Sequence, residues 1–323
     1  MGRSIFNRFT SGQLLGILMA VGYCLAIEAW LGWSTVLAPL FALPLPLLLQ
    51  MVVLLLLTYI ARALRLYGYF VADIKPRFGL TLAITLTHNL FNHLLPARLG
   101  EASLPLLLRR HLGVDVLRGT SALVWFRFLD LHTLVLLALL AVFFVPEAAL
   151  LPAPVHMFLA SFGHLFLALI GVVALIPLGA YWLARGAAWR MLEPSSRWQN
   201  LLSRLFSGLP NRLVDFGLSW MWTWLTWLIK LLTLAWLLAS LLSISWPAAL
   251  LGVSGGELTA ILPLHAPGGF GTYAGGIVAA LSALDMDLDA TLMAAANTHL
   301  VLFSAALISG IAGWLLLQRN TKN

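Results

Sequence analysis

An apolar stretch that is broken near its middle limits what this chain can fold into. Residues 81–95 are apolar enough to enter a lipid bilayer, but they are shorter than the roughly 20 residues that a helical crossing needs. Pro96 and Gly100 then interrupt the helix, and a second short apolar run, 102–108, ends in two arginines and a histidine. Two short arms joined by a polar tip indicate a re-entrant hairpin. Its irregular backbone at membrane depth must be surrounded by protein or line a water-filled cavity.

The tip of this hairpin carries side chains that are rare inside membranes. Residues 88–101 include two histidines, two asparagines, one arginine and one glutamate. Polar and ionisable groups at membrane depth are expensive to bury, so they mark functional sites. We therefore expect the segment 80–110 to line a cavity, with Asn92, Arg98 and Glu101 among the residues that contact a substrate.

A second broken segment, 247–284, repeats this arrangement later in the chain. A Leu-Pro pair is followed by the polar residue His265 and then by Gly268, Gly269 and Gly271. Interrupted apolar segments at corresponding places in two halves of a chain indicate the binding site of a transporter built from an inverted repeat. The glycines would also bring backbone N–H groups close to an anion, although close packing of a hairpin turn explains them equally well.

The composition of the chain is that of an integral membrane protein. Of its 323 residues, 61% are hydrophobic and only 10% are charged, and the mean hydropathy is +0.94. The net charge of +7 is spread over loops, so it is better explained by orientation in the membrane than by binding of nucleic acid. A single cysteine excludes an internal disulfide framework. No arrangement of nucleophile and base stands out, and no metal-ligand spacing occurs, so we expect neither an enzyme nor a cofactor or metal site.

Six apolar runs are long enough to cross a membrane in addition to the two hairpins. They lie at 13–33, 45–70, 119–145, 158–183, 216–242 and 290–317. Lys and Arg collect in alternate loops, and one such cluster runs from Arg62 to Arg77. Because Lys and Arg are enriched in cytoplasmic loops, this pattern places both termini in the cytoplasm, provided that each hairpin returns to the side it entered from. Two ordinary kinked spans would give the same end topology. We expect a single all-α polytopic transmembrane domain over 1–323, with two oppositely oriented re-entrant hairpins.

Several ionisable side chains lie inside the apolar runs. Arg127 and Asp130 are three residues apart, so they share a helix face and can pair. Lys230 has no carboxylate within one helical turn, so its partner must come from another helix. The candidates are Asp130, Glu101 and Glu257. These charged residues either form ion pairs that stabilise the structure or include cations that bind a phosphate. Arginine is suited to binding phosphate because its guanidinium group can donate two parallel hydrogen bonds.

Four motifs occur in the order seen in the lysylphosphatidylglycerol synthase transmembrane-region family of flippase-like membrane domains. They lie at 61–65, 92–101, 127–130 and 267–271. The resemblance extends over nearly the whole chain, and it implies a bacterial inner-membrane protein that moves lipids or lipid-linked head groups between leaflets. Some members also carry a soluble aminoacyl-transferase domain, which this sequence lacks, so lipid synthesis is not expected.

The sequence departs from that family's pattern at charged positions. Leu104 stands where the family often has an arginine, and Phe126 and Ala274 stand where it often has an acid. The arginine that often lies near His299 is missing as well. These departures indicate a less charged site and leave the identity of the lipid open.

These features together predict a lipid flippase. Arg98 and Arg127 would neutralise a phosphate with help from Lys230, while Glu101 and Asp130 would orient those cations or carry a coupling proton. Candidate partners are membrane lipids, among them polyprenyl phosphate and aminoacyl-phosphatidylglycerol, with no indication of an oligomeric state. Two other functions also fit the sequence: a secondary transporter of a small water-soluble anion, and a non-transporting accessory subunit of an envelope-lipid enzyme.

Overall fold

The chain is almost entirely helical in the part described by its computed structural model, and no β-strand occurs in that part. The described residues are 21–22, 25–74, 77–145, 153–190, 198–199, 203, 206, 209–210, 212–261, 267–284 and 286–320. The helices are α1 (Trp33–Phe41), α2 (Leu45–Ile74), α3 (Phe78–Leu94), α4 (Ser103–Leu112), α5 (Val116–Phe144), α6 (Ala153–Ala174), α7 (Ile176–Arg190), α8 (Leu213–Leu242), α9 (Trp246–Ile261), α10 (Thr272–Leu281) and α11 (Leu288–Asn320).

Five segments of the described chain are long and apolar enough to cross a membrane. They are Leu45–Val71, Val116–Phe144, Ser161–Gly186, Leu213–Leu242 and Leu288–Arg319. Each coincides closely with a run expected from hydropathy, so the prediction of an all-α polytopic membrane protein is confirmed. Part of the first expected span, 13–33, lies outside the described residues, namely 13–20 and 23–24.

The outward-facing side chains of the long helices are apolar. α2 exposes Leu49, Val53 and Leu57, and α8 exposes Leu218 and Leu225. Contiguous apolar surface of this kind is unfavourable in water but is solvated by lipid chains. Several polar and charged side chains of the long helices are buried instead, among them Arg65, Asp130 and Lys230. Buried ionisable groups of this kind are typical of proteins that enclose a polar path through a bilayer.

The first broken segment folds into two helical arms, α3 and α4, joined by the 3-10 turn Pro96–Ala102; we call this unit hairpin 1. His88 Nδ1 lies 2.8 Å from Ser103 Oγ and so links the two arms. A Cβ atom on Gly100 would lie 2.4 Å from the carbonyl oxygen of Phe91, so glycine is required where the turn folds back onto α3.

The second broken segment forms hairpin 2, in which α9 and α10 pack against each other in opposite directions. A Cβ atom on Gly255 would lie 2.4 Å from the carbonyl oxygen of Gly276, and one on Gly276 would lie 2.6 Å from that of Gly255. Further along, Gly252 faces Leu281. The two backbones are therefore in direct contact, which only a pair of glycines allows.

The contacts between helices divide the protein into two corresponding units. The first unit contains α2, hairpin 1 and α5, and the second contains α8, hairpin 2 and α11. Hairpin 1 packs on α11 as hairpin 2 packs on α5, and α2 contacts α11 as α8 contacts α5. α2 and α8 run antiparallel, because Arg65 meets Thr223 near one end while Leu55 shares a core cluster with Leu234 towards the other. This correspondence is what an inverted repeat requires.

Two apolar cores enclose a polar layer. Along α5, Phe126 belongs to one core cluster, Leu134 belongs to the other, and Asp130 lies between them. Along α2, Leu66 and Leu55 belong to the same two clusters. The polar residues between these clusters therefore form a layer part-way along the helices, and this layer contains the candidate site.

Candidate functional site

Two adjacent cavities occupy the polar layer. One has a volume of about 50 Å³ and the other a volume of about 80 Å³. Four side chains line both of them, namely Arg62, Asn89, Asn92 and Arg127. The larger cavity extends to Gly268 in the turn of hairpin 2. Both hairpins therefore contribute to one polar interior, and their turns lie next to each other.

An ion pair connects the turn of hairpin 1 to α5. Arg127 Nε donates to Glu101 Oε2 at 2.9 Å, and Arg127 Nη2 lies 2.7 Å from Glu101 Oε1. Two parallel hydrogen bonds of this kind fix the orientation of both side chains. Because the pair is only partly buried, with Arg127 28% exposed and Glu101 19% exposed, both groups remain accessible from the cavity.

Asp130 is the centre of a more deeply buried cluster. Its Oδ1 accepts from Arg65 Nη1 at 2.7 Å and from Trp227 Nε1 at 3.1 Å. The same Arg65 nitrogen donates to Thr223 Oγ1 at 2.8 Å. The contact expected between Arg127 and Asp130 forms at 3.5 Å, but it is the longest in the cluster. The expected pairing of Arg127 with Asp130 is therefore present, but each residue also has a closer partner on another element.

A second ion pair connects hairpin 2 to α8. Lys230 Nζ lies 2.6 Å from Glu257 Oε2, so Glu257 is the one of the three candidate carboxylates that pairs with this lysine. The Tyr273 hydroxyl donates to Glu257 Oε1 at 3.3 Å, and the lysine ammonium lies 5.3 Å from the ring centre of Trp227. Each hairpin is thus held to a long helix by one ion pair.

Arg62 and Arg65 do not belong to a cytoplasmic cluster with Arg77, contrary to the charge argument from sequence. Both lie inside α2 and line the smaller cavity, whereas Arg77 is exposed before α3. An arginine can be buried when it is paired, and the partner of Arg65 is Asp130, which is distant in sequence. Their spacing of three residues is the signal that could have found them, because it places both on one helix face.

The cavity carries an excess of one positive charge among the side chains that the structure describes. The lining cations are Arg62, Arg65, Arg127 and Lys230, and the lining carboxylates are Glu101, Asp130 and Glu257. Each carboxylate is within 4.0 Å of at least one of these cations, but none is within that distance of Arg62. Arg62 instead contacts a neutral amide, with Nη1 3.4 Å from Asn89 Oδ1.

Asn92 and the glycines of hairpin 2 have different relationships to the cavity. Asn92 lines both cavities, with Nδ2 3.1 Å from His88 Nε2. Gly268, Gly269 and Gly271 have φ values of 68°, 77° and 80°, which side-chain-bearing residues rarely adopt. Turn geometry therefore accounts for all three glycines, and of the three only Gly268 lines the cavity.

Two expected site residues are described incompletely or not at all. Arg98 lies in the turn of hairpin 1, but its side chain is outside the described part of the structure, and His265 lies outside the described residues altogether. Asn89 and Arg62 were not among the expected site residues, although Arg62 lies in the motif at 61–65, and both line the cavity wall. His299 also lines the larger cavity, stacked on Tyr273 with ring centres 5.0 Å apart.

Comparison with known proteins agrees with this architecture. No curated protein matches the sequence. The profile of one family, described as "Lysylphosphatidylglycerol synthase TM region", matches residues 13–310, a range that includes both hairpins, α2, α5, α8 and every residue named in the cavity. The resemblance seen in the motifs is therefore confirmed, and the chain belongs to the lysylphosphatidylglycerol synthase transmembrane-region family.

Proposed function

We propose that this protein is a lipid flippase of the bacterial inner membrane. A phosphate-bearing or anionic head group would pass through the polar layer while the acyl or isoprenoid chains stay in the bilayer. The candidate substrates are a phospholipid, an aminoacylated phospholipid and a polyprenyl-linked lipid. In this proposal the protein performs transport and no catalysis, and both termini are cytoplasmic.

The observation that carries this proposal is the cationic cavity between two broken hairpins in a protein with an apolar exterior. A phosphate group is strongly solvated in water, so it enters a membrane only where cations and hydrogen-bond donors replace that solvation. Arg62 and Arg127 supply such donors from α2 and α5. The exposed apolar sides of the same helices would contact the lipid chains.

The two ion pairs that hold the hairpins suggest how transport would proceed. Arg127 is held by Glu101, and Lys230 is held by Glu257. A phosphate that competes with either carboxylate for its cation would weaken the link between a hairpin and a long helix. Substrate binding would thereby favour movement of one unit against the other, as in transporters built from inverted repeats.

The test is leaflet exchange in liposomes that contain the purified protein. Three head-group-labelled lipids are compared: an anionic phospholipid, an aminoacylated phospholipid and a polyprenyl phosphate. We expect protein-dependent exchange of at least one of them, strongly reduced by Arg127→Ala and retained by the matched control Arg109→Ala, which alters an exposed arginine of α4. If folded protein exchanges none of these lipids, the flippase proposal fails.

One observation favours a second candidate, a secondary transporter of a small water-soluble anion. The larger cavity, about 80 Å³ in volume, is of the size of a phosphate ion and does not itself require a lipid. Uptake of radiolabelled phosphate by the same liposomes, without any lipid exchange, would select this function over the flippase.

A further inference from the structure

Four side chains that line the cavities carry buried polar atoms without a hydrogen-bond partner of good geometry among the described residues. Three of these atoms are Arg62 Nε, Asn89 Nδ2 and Asn92 Oδ1, and the fourth is Arg65 Nε, whose residue lines only the smaller cavity. The first three residues line both cavities, and Asn89 is only 5% exposed. Buried polar groups in native proteins almost always have a hydrogen-bond partner, so three such atoms in one cavity wall point to a ligand.

The chemistry of these atoms specifies what the ligand must offer. Arg62 Nε and Asn89 Nδ2 are donors, and their two side chains are joined by the contact between Arg62 Nη1 and Asn89 Oδ1. The Asn89 side chain also interacts with the Tyr59 hydroxyl, but its amide nitrogen has two hydrogens, so a second one is left for a ligand. Two donors side by side, one of them cationic, match the oxygens of an anion. Asn92 Oδ1 is an acceptor, so it matches a hydroxyl or ammonium group that lies beside that anion.

The charges of the described lining groups favour a ligand with one negative charge. Among these groups, the carboxylates are engaged by Arg65, Arg127 and Lys230, and one positive charge, that of Arg62, is left over. A single negative charge therefore balances the described lining groups. A phosphodiester carries one negative charge, whereas a phosphomonoester carries about 1.5 to 2 at neutral pH and would leave these groups with an excess of negative charge.

We propose that Arg62 and Asn89 seat a phosphodiester that bears a neighbouring hydroxyl or ammonium group, which contacts Asn92. The proposal rests on the proposed function, because it names the head-group class that the flippase would select. The same chemistry is present in a glycerophospholipid head group and in a water-soluble glycerophosphodiester. The two sources are separated by the probes used in the test.

The decisive variant is Asn89→Asp, which preserves the shape of the side chain and gives Arg62 a carboxylate partner. If Asn89 serves only to hold the structure, binding and stability should change together. If it seats an anion, the unfolding midpoint stays the same or rises while anion affinity falls by about tenfold or more, the equivalent of one charge-assisted hydrogen bond. Arg62→Gln should lose affinity similarly, and Arg109→Gln is the matched control.

Binding to detergent-solubilised protein is measured with four probes. These are short-chain phosphatidylglycerol, phosphatidic acid and phosphatidylcholine, and water-soluble glycerophosphoglycerol. We expect phosphatidylglycerol to bind more tightly than phosphatidic acid and to lose affinity in Asn89→Asp. It should also bind more tightly than phosphatidylcholine, because the quaternary ammonium of choline has no hydrogen to donate to Asn92 Oδ1. Binding of glycerophosphoglycerol with equal affinity would assign the site to a soluble phosphodiester, and weaker binding would assign it to the lipid.

Two results would overturn this inference. One is phosphatidic acid binding as tightly as phosphatidylglycerol, and the other is unchanged affinity in Asn89→Asp. Because binding is measured separately from transport, failure of the inference differs from failure of the proposed function. If Asn89→Asp leaves lipid exchange unaffected, only the proposed phosphodiester site is refuted. If the wild-type protein binds phosphatidylglycerol but exchanges no lipid, only the flippase proposal is refuted.

Discussion

Arg127 on α5 meets Glu101 in the turn of hairpin 1 through two hydrogen-bonding contacts, 2.9 Å and 2.7 Å long. This contact fixes the turn of a broken segment against one of the long helices, and it lies on the wall of the larger cavity. A group that holds a movable segment and also faces a polar cavity can couple the two. In the proposed transport cycle, the Arg127–Glu101 pair would therefore couple substrate binding to the position of hairpin 1.

We predict that Glu101→Gln lowers the free energy of unfolding by about 1–2 kcal/mol, because it weakens two charge-assisted hydrogen bonds that are only partly buried. The variant also frees the Arg127 guanidinium, so anion affinity should rise as stability falls. Denaturant unfolding and short-chain lipid binding in detergent measure both effects. A variant with wild-type stability would show that the pair does not hold the hairpin.

The Lys230–Glu257 pair should behave as a buried ion pair. Loss of one partner leaves an uncompensated buried charge, so Lys230→Met and Glu257→Gln alone should each cost about 3–5 kcal/mol. The double variant removes both charges and should recover much of that loss. A double-mutant cycle compares the unfolding midpoints of the wild type, the two single variants and the double variant. If the losses of the two single variants add up in the double variant, the two residues do not interact.

Neighbouring glycines of α10 provide a matched test of the packing in hairpin 2. Gly276→Ala places a methyl group 2.6 Å from the carbonyl oxygen of Gly255, so it should destabilise the protein by about 1–3 kcal/mol. Gly275→Ala meets nothing within 4 Å on an exposed helix face and should be neutral or stabilising by about 0.4–1 kcal/mol. Equal melting temperatures for the two variants would refute the close approach of α9 and α10.

Re-entrant geometry makes a prediction about sidedness. In a Cys24→Ser background, single cysteines at Arg77 and Arg109, which flank hairpin 1, should react with a membrane-impermeant thiol reagent from the same side. Cysteines at Trp246 and Leu288, which flank hairpin 2, should both react from the opposite side. Labelling of the two positions of one pair from different sides would show that this hairpin crosses the membrane.

The architecture could be predicted from sequence where the signal is local. A long apolar run is enough to predict a membrane span, so the five spans follow from the residues alone. Pro96 lacks the N–H that a helix interior needs, so the break in hairpin 1 could be predicted as well. The lone charge of Lys230 also required a partner on another helix. The choice of Glu257 depended on the packing of α8 against hairpin 2, which no local pattern contains.

The candidate site could be predicted only in part, because its groups are brought together by packing between distant helices. Arg65 near the end of an apolar run looks like a loop arginine until Asp130, on a helix that follows hairpin 1, is placed beside it. Asn89 gives no charge signal at all, and its importance comes from an unsatisfied amide in a buried wall. The hydrophobic periodicity of the sequence does not predict contacts of this kind between distant helices.

If a lipid head group passes through the cavity between the hairpins, a bulky side chain in that cavity should block its passage. Ala260 lines this cavity, and Ala279, on the other arm of hairpin 2, faces outward. Exchange of labelled phosphatidylglycerol between leaflets should be abolished by Ala260→Phe, which fills the cavity, and should continue in the matched control Ala279→Phe. Wild-type exchange by folded Ala260→Phe protein would contradict the claim, because the lipid would then have to cross elsewhere.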